Sequence, residues 1–357
     1  MITKREDILK KAPTTRYQGS KRSILPWIYD NLKDLKFKTV LDGFGGSGIV
    51  SYLFKLMDKK VTFNDILASN HMAGIALIEN ESVQFTSEDL EFLLHKNGFK
   101  YPTFIQDNFR GIYYLSKENQ WLDIVSYNIK KLSERYKGDI LRKKQALAYY
   151  ALFQACLCKR PFNLFHRRNL YLRTARVDRS FGNRTTWNTT FHELFSRFAA
   201  EANNRIFKTG RKHVALCEDI MRIKKRSFDL VYLDPPYARK AEKHPKNYHS
   251  MYHFLEGLLS YDTWGSRISW KTKNRALIHK KTRWDTDLLE DNFDTLFRRF
   301  RKSIIVVSYG APGYPSIYTI RKILKQYKSN ARVIRRPYNY KLSNKNGGLF
   351  EVLLIGQ

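Results

Sequence analysis

The stretch FDLVYLDPPY (228–237) carries the most specific chemistry in the chain. An apolar, β-branched run ends abruptly in a carboxylate, two prolines and a tyrosine. The Asp234 carboxylate can accept one N–H of an exocyclic amine, and the Pro235 carbonyl can accept the other. Two acceptors so placed draw the nitrogen lone pair out of conjugation with its ring and aim it at an electrophile. Pro235 and Pro236 fix their own φ and restrict the residue before them, which holds the acceptors rigid. Tyr237 offers a face on which a planar base can stack. Asp-Pro also opens ordinary turns, so the reading depends on what stands upstream.

Upstream stands VLDGFGGSGIVSYLFK (40–55). Gly43, Gly45 and Gly48 satisfy GxGxxG, and Asp65 lies 22 residues beyond the first of them. That pattern serves a dinucleotide, with an acid gripping the ribose. It serves S-adenosylmethionine equally well: Asp42, at a strand end, can face the methionine ammonium, and Asp65 can accept from the ribose hydroxyls. The glycine loop cannot choose between the two cofactors. The later motif can, because an amine held by Asp234 needs an electrophilic carbon, and the sulfonium methyl of S-adenosylmethionine is one.

Three acids at strand ends need strands to hold them. Apolar, β-branched runs predict strands at 37–42, 59–65, 212–217, 228–234, 303–309 and 350–356. Helical stretches between them predict an α/β fold, a Rossmann-like core with a mainly parallel sheet covered on both faces. In such a sheet ligands bind beyond the carboxyl ends of the strands, so Asp42, Asp65 and Asp234 should gather at one rim. The last run should pair antiparallel with RVIRRPYNY (332–340) as an edge hairpin.

Between 69 and 207 the periodicity becomes helical. One helix carries Leu141, Ala148, Leu152 and Cys156 on a face and should stop before Pro161. A second, TFHELFSRFAAEANNRIF, buries Phe191, Leu194, Phe198 and Ala202, with Gly210 as its expected stop. This divides the chain into a catalytic core, 1–68 with 208–357, and an inserted helical domain, 69–207. The linking segment from Lys159 to Asn188 holds eight Lys/Arg against one Asp, interleaved with aromatics.

The chain has 65 Lys+Arg against 33 Asp+Glu, a formal net charge of +32. Such a balance predicts a polyanionic partner. Arg pairs with guanine edges and Asn with adenine edges, so Arg167, Arg168, Asn169, Arg173, Arg176, Arg179, Asn183 and Arg184 are the expected nucleic-acid readers. A second contact region is expected at 238–253. There His249 and His253 should contact the nucleic acid or pack, and Glu256 should be structural.

RYQGSKR (16–22), VLDGFGGSG (40–48), Asp65, CEDI (217–220), LDPPY (233–237) and NYKLS (339–343) occur in one order along nearly the whole chain. Together they resemble the Dam-like DNA adenine N6-methyltransferases. The resemblance implies S-adenosylmethionine as cofactor, a helical target-recognition insertion and double-stranded DNA as substrate, with the target adenine flipped out of the stack. It implies cofactor contacts from Tyr17, Gly19 and Lys21, the lysine on the cofactor carboxylate. Asp42, Phe44, Gly45, Gly46 and Gly48 would form the cofactor loop, with Asp65 on the ribose and Asp219 on the adenine amine. Asp234 to Tyr237 would be the catalytic clamp, with Asp234 also touching the cofactor.

Other readings remain at this level. An RNA adenine methyltransferase and a binding protein that has lost activity fit the same charge. Cytosine-N4 enzymes usually place Ser before the prolines. C5 chemistry needs a Cys after Pro, and neither Cys156 nor Cys158 follows one. An oxidoreductase would need a hydride-transfer site that the sequence does not suggest. The three cysteines form neither a disulfide framework nor a zinc quartet, and no metal is expected. The N-terminus lacks the apolar run of a signal peptide, and no apolar stretch is long enough to span a membrane. The expectation is a cytoplasmic monomer, whether or not a separately encoded restriction endonuclease accompanies it.

Overall fold

A computed structural model describes residues 5–177, 183–224, 227–238, 247–286, 288–337 and 349–357. The strands are β1 (Thr39–Asp42), β2 (Lys60–Asn64), β3 (Val214–Leu216), β4 (Leu230–Leu233), β5 (Ile304–Ala311), β6 (Ala331–Pro337) and β7 (Phe350–Gly356). They form one seven-stranded sheet in the order β3-β2-β1-β4-β5-β7-β6. The pairs from β3 through β5 are parallel, and β7 runs antiparallel to both β5 and β6. The final run therefore lies inside the sheet, and its hairpin partner β6 forms the edge.

Period-two alternation explains how this sheet is held. Leu230 and Tyr232 of β4 join one buried cluster with helical residues such as Leu147, Leu152 and Phe198. Val231 and Leu233, between and beyond them, join a second cluster with Phe293, Leu296 and Leu324. Successive side chains of a strand point to opposite faces, so a run this apolar must be covered twice.

The described residues between 69 and 207 hold helices and no strand, among them Gly138–Cys158 and, as the second expected helix, Phe191–Asn203. Their apolar faces belong to the same cluster as the strand residues Val40 and Val61. The second helix ends seven residues before the expected stop at Gly210. Asn203 accepts from the Phe85 amide at 2.9 Å and donates to the Phe85 carbonyl at 3.0 Å. These bonds dock the last helical residue onto the Phe85 segment, and Asn204 caps the helix with its amide on the Ala200 carbonyl. Gly210, at φ 72°, sits instead in the loop leading to β3. No helix among the described residues is long and apolar enough to cross a membrane.

Candidate active site

The sheet changes direction between β1 and β4: β2 and β3 build outward on one side, β5 on the other. Asp42 is paired in register with Tyr232, so the carboxyl ends of β1 and β4 lie side by side. A crevice opens at such a switch point. It is lined by Asp42, Asp65, Asp219 and Asp234, by the glycine loop, and by Tyr17 to Lys21 of the N-terminal segment. The predicted convergence of the three strand-end acids holds, with Asp219 added.

The loop after β1 is shaped by close backbone contacts. The Gly43 amide donates to the Tyr232 carbonyl at 2.9 Å, and the Gly46 amide to Asp65 Oδ2 at 2.8 Å. A Cβ on Gly45 would stand 2.1 Å from the Phe63 ring, so only glycine lets the loop close onto β2. Gly48 takes φ 76°, the left-handed turn from which the Ile49–Leu56 helix starts. Asn64 fastens the opposite wall by donating to the Gly43 and Glu218 carbonyls, each at 3.1 Å.

Burial dominates the electrostatics. Ser51 Oγ donates to Asp42 Oδ2 at 2.7 Å, while the buried Oδ1 has no hydrogen-bond partner among the described residues. Burial pushes the Asp42 carboxyl up to about 7, against the Ser51 hydrogen bond. Asp65 is raised by the same cause, although the Leu67 and Gly46 amides oppose it.

Asp234 is pushed up to about 6, again by burial, with the Lys21 ammonium pulling the other way. Lys21 Nζ lies 3.0 Å from Asp234 Oδ2 and 3.8 Å from Glu351 Oε2. Burial alone would lower the lysine, but the two carboxylates hold it well above its usual value. The lysine expected on a cofactor carboxylate is thus paired with the clamp itself. Its backbone segment still lines the crevice, and Gly19 turns there at φ 83°.

The remaining clamp and cofactor-loop residues also lie in the crevice. Tyr237 packs on Tyr309 at 4.8 Å between ring centroids. Phe44 meets the Trp284 ring edge-on at 5.1 Å. Tyr17 stacks on Tyr252 at 4.5 Å, and its hydroxyl accepts from Asn70 at 3.1 Å. Asp219 Oδ1 accepts from the Met221 amide at 3.0 Å.

The expected DNA readers divide. Arg167, Arg168 and Arg176 are exposed. Asn169 is buried, and its Oδ1 accepts from the buried Arg160 guanidinium. Arg173 donates to both carboxylate oxygens of Glu118, at 2.9 and 2.8 Å, with its own side chain only 4% exposed. These two are structural: each fills a hydrogen-bonding need that burial would otherwise leave open. Arg179 and NYKLS (339–343) lie outside the described residues, as do the side chains of Asn183 and Arg184 and residues 239–246 of the second contact region. His253 is buried, with Nε2 2.8 Å from the Tyr113 hydroxyl, so it packs. His249 lines the crevice, stacked on His279 at 4.8 Å. Glu256 accepts the Ala68 and Ser69 amides at 3.2 and 2.7 Å, holding a helix start.

Sequence reasoning missed Asn64, Trp284 and Glu351. Asn64 stands one residue before the expected acid and carried a usable signal. Glu351 could have been noticed as the first acid after the long basic run from Thr295. Trp284 carried none.

A switch-point crevice ending in Asp-Pro-Pro-Tyr defines a Rossmann-like methyltransferase acting on an amino group. Residues 17–305 match the family described as D12 class N6 adenine-specific DNA methyltransferase, and the chain belongs to that family. It is similar to the type II methyltransferase M2.HphI of Haemophilus parahaemolyticus, 26% identical over 345 residues that cover 94% of each chain. The reaction is methylation of adenine N6 in DNA.

Proposed function

We propose that S-adenosylmethionine is the methyl donor and that Asp234 to Tyr237 clamp an adenine flipped out of duplex DNA. The observation that carries this reading is Asp234 at the tip of β4, beside the Lys21 ammonium at the switch point. When bound, S-adenosylmethionine supplies an electrophilic methyl group on a sulfonium. The fit is supported by Asp42, whose buried Oδ1 has no partner among the described residues and suits a ligand ammonium. Tyr17, Gly19, Phe44, Gly45, Gly46 and Gly48 would wall that site, with Asp65 for ribose hydroxyls and Asp219 for the adenine end.

On the substrate side, the Asp234 carboxylate accepts one N6 hydrogen and the Pro235 carbonyl the other. Pro236 keeps the turn stiff, and Tyr237 stacks on the base. Lys21 keeps Asp234 ionised at neutral pH, since a carboxyl near 6 is mostly charged at 7. We assign Arg167, Arg168 and Arg176 to DNA contacts and residues 69–207 to target recognition. A type II system, as in the relative's name, would pair this methylation with a separately encoded endonuclease.

The test is single-molecule sequencing of DNA from cells expressing the wild-type chain or Asp234→Ala. N6-methyladenine should appear at one short motif with the wild type and be absent with the variant. Methylation that persists in the variant would remove Asp234 from the chemistry.

A further inference from the structure

After the helix Tyr248–Leu259 the chain leaves the sheet and returns only at β5. From Thr263 to Trp284 this excursion holds seven Lys/Arg and no Asp or Glu. It is a built element. Trp264 is fully buried against Phe109, Phe254 and Phe104 at 4.8 to 5.4 Å. Beyond it Ile268 and Leu277 pair antiparallel, with the Ser269 amide donating to the Ala276 carbonyl at 2.8 Å. The turn is fixed by Thr272, whose hydroxyl donates to the Ser269 carbonyl and accepts the Ala276 amide. The Tyr113 hydroxyl donates to the Asn274 carbonyl at 2.7 Å, docking the turn onto the helical segment.

What this scaffold presents is a basic groove with an aromatic edge. Trp270 is 53% exposed, and the Arg275 guanidinium covers its ring at 4.7 Å. Lys271, Lys273 and Arg275 face Arg110 and Arg168 across the groove, with Asp107 as its one carboxylate. None of the five cations is held in an ion pair among the described residues. The base of the same excursion, at Thr282 and Trp284, lines the catalytic crevice. One element thus runs from the reacting centre to Arg168 of the basic loop.

We propose that the 270–275 turn is a second DNA-binding element that grips the phosphate backbone of the duplex beside the target. It rests on the DNA-methylating reading above and adds a contact that neither the clamp nor the basic segment from Lys159 to Asn188 supplies. Clustered unpaired cations on a rigid turn fit the regular spacing of phosphates, and each contact releases counterions.

The experiment measures affinity for random-sequence duplex DNA across a salt series, using the full chain. Each phosphate contact contributes a slope of about 0.9 in log K against log salt. K271Q/K273Q/R275Q should flatten the slope by about 2 to 3 and raise the KM for DNA. A control, K322Q/K325Q/R332Q, removes three exposed charges elsewhere and should keep a slope near that of the wild type. Equal slopes in wild type and turn variant would overturn the proposal, as would an equal loss in the control. A wild-type chain that does not bind duplex DNA would sink the functional reading and this proposal with it. Circular dichroism and melting report whether the turn variant folds. Should it melt early, K273Q alone carries the test, with a loss of about 0.9 expected.

Discussion

The Lys21 ammonium lies 3.0 Å from the Asp234 carboxylate, and Glu351 shares the same cation at 3.8 Å. The lysine comes from the N-terminal segment, the aspartate from the tip of β4 and the glutamate from β7. The carboxylate proposed to accept an amine hydrogen is therefore tuned by two distant parts of the chain.

That coupling sets a pH dependence. Asp234 sits near 6 and in the proposed clamp acts ionised, so kcat/KM should fall as pH drops through about 6. Lys21→Met removes the charge that holds the carboxyl down, and the acidic limb should move up by about one unit or more. Glu351→Gln removes a like charge and should move the limb the other way. Measured pH profiles in which both variants shift alike, or neither shifts, would show that the cluster does not control Asp234.

The sheet was legible because each β-branched run is long enough to be a strand and short enough to exclude a helix. The strand-end acids were legible because a parallel sheet puts every carboxyl end at one rim. The Lys21–Asp234–Glu351 cluster was not, since local pattern does not record which distant segments meet. Within the basic loop, polarity is an equally poor guide. Arg167 and Arg173 look alike in sequence, yet one is exposed and the other lies in a buried pair with Glu118.

Asp42 should trade stability for ligand contact. Its folded carboxyl is raised to about 7 by burial, so the charged form is disfavoured in the native state. That contribution is fully present below the carboxyl's unfolded value of about 3.9 and is lost as pH rises from there through the folded value. Asp42→Asn removes that loss. The ligand-free variant should be more stable than the wild type at pH ~8, by on the order of 2 kcal/mol, with a gap that narrows toward pH ~5. Its affinity for S-adenosylmethionine should fall. Thermal melting and calorimetric titration check the two halves, and a variant that loses stability at pH ~8 would contradict the burial argument.

Gly310 tests the seat of Tyr237. A Cβ there would stand 2.4 Å from the Tyr237 hydroxyl, while the backbone is held by pairing with Glu351 in β7. Gly310→Ala should displace the tyrosine ring and leave the sheet intact. Misplacing a group by about 1 Å can cost up to about 10²-fold in rate. The expected result is a lower kcat/KM at an almost unchanged melting temperature. Full activity would mean that the Tyr237 ring need not sit where it does.

Arg167 and Arg173 should separate binding from stability. Arg173 holds Glu118 with two hydrogen bonds in a nearly buried pair, and Lys159 shares that carboxylate at 2.8 Å. Arg173→Ala leaves Glu118 with Lys159 and the Leu115 amide, so the loss should be about 1–3 kcal/mol rather than that of a stranded charge. DNA affinity per folded molecule should change little. Arg167 is exposed, and its described hydrogen bond uses the backbone carbonyl, which accepts from Arg160 at 3.1 Å. Arg167→Ala keeps that carbonyl and should stay within about 0.5 kcal/mol of wild-type stability. Its salt slope for duplex DNA should drop by about 0.9. Melting curves and salt-dependent binding on the same two proteins decide the matter. If Arg173→Ala weakens DNA binding while keeping its melting temperature, the buried pair is not what fixes that arginine's role.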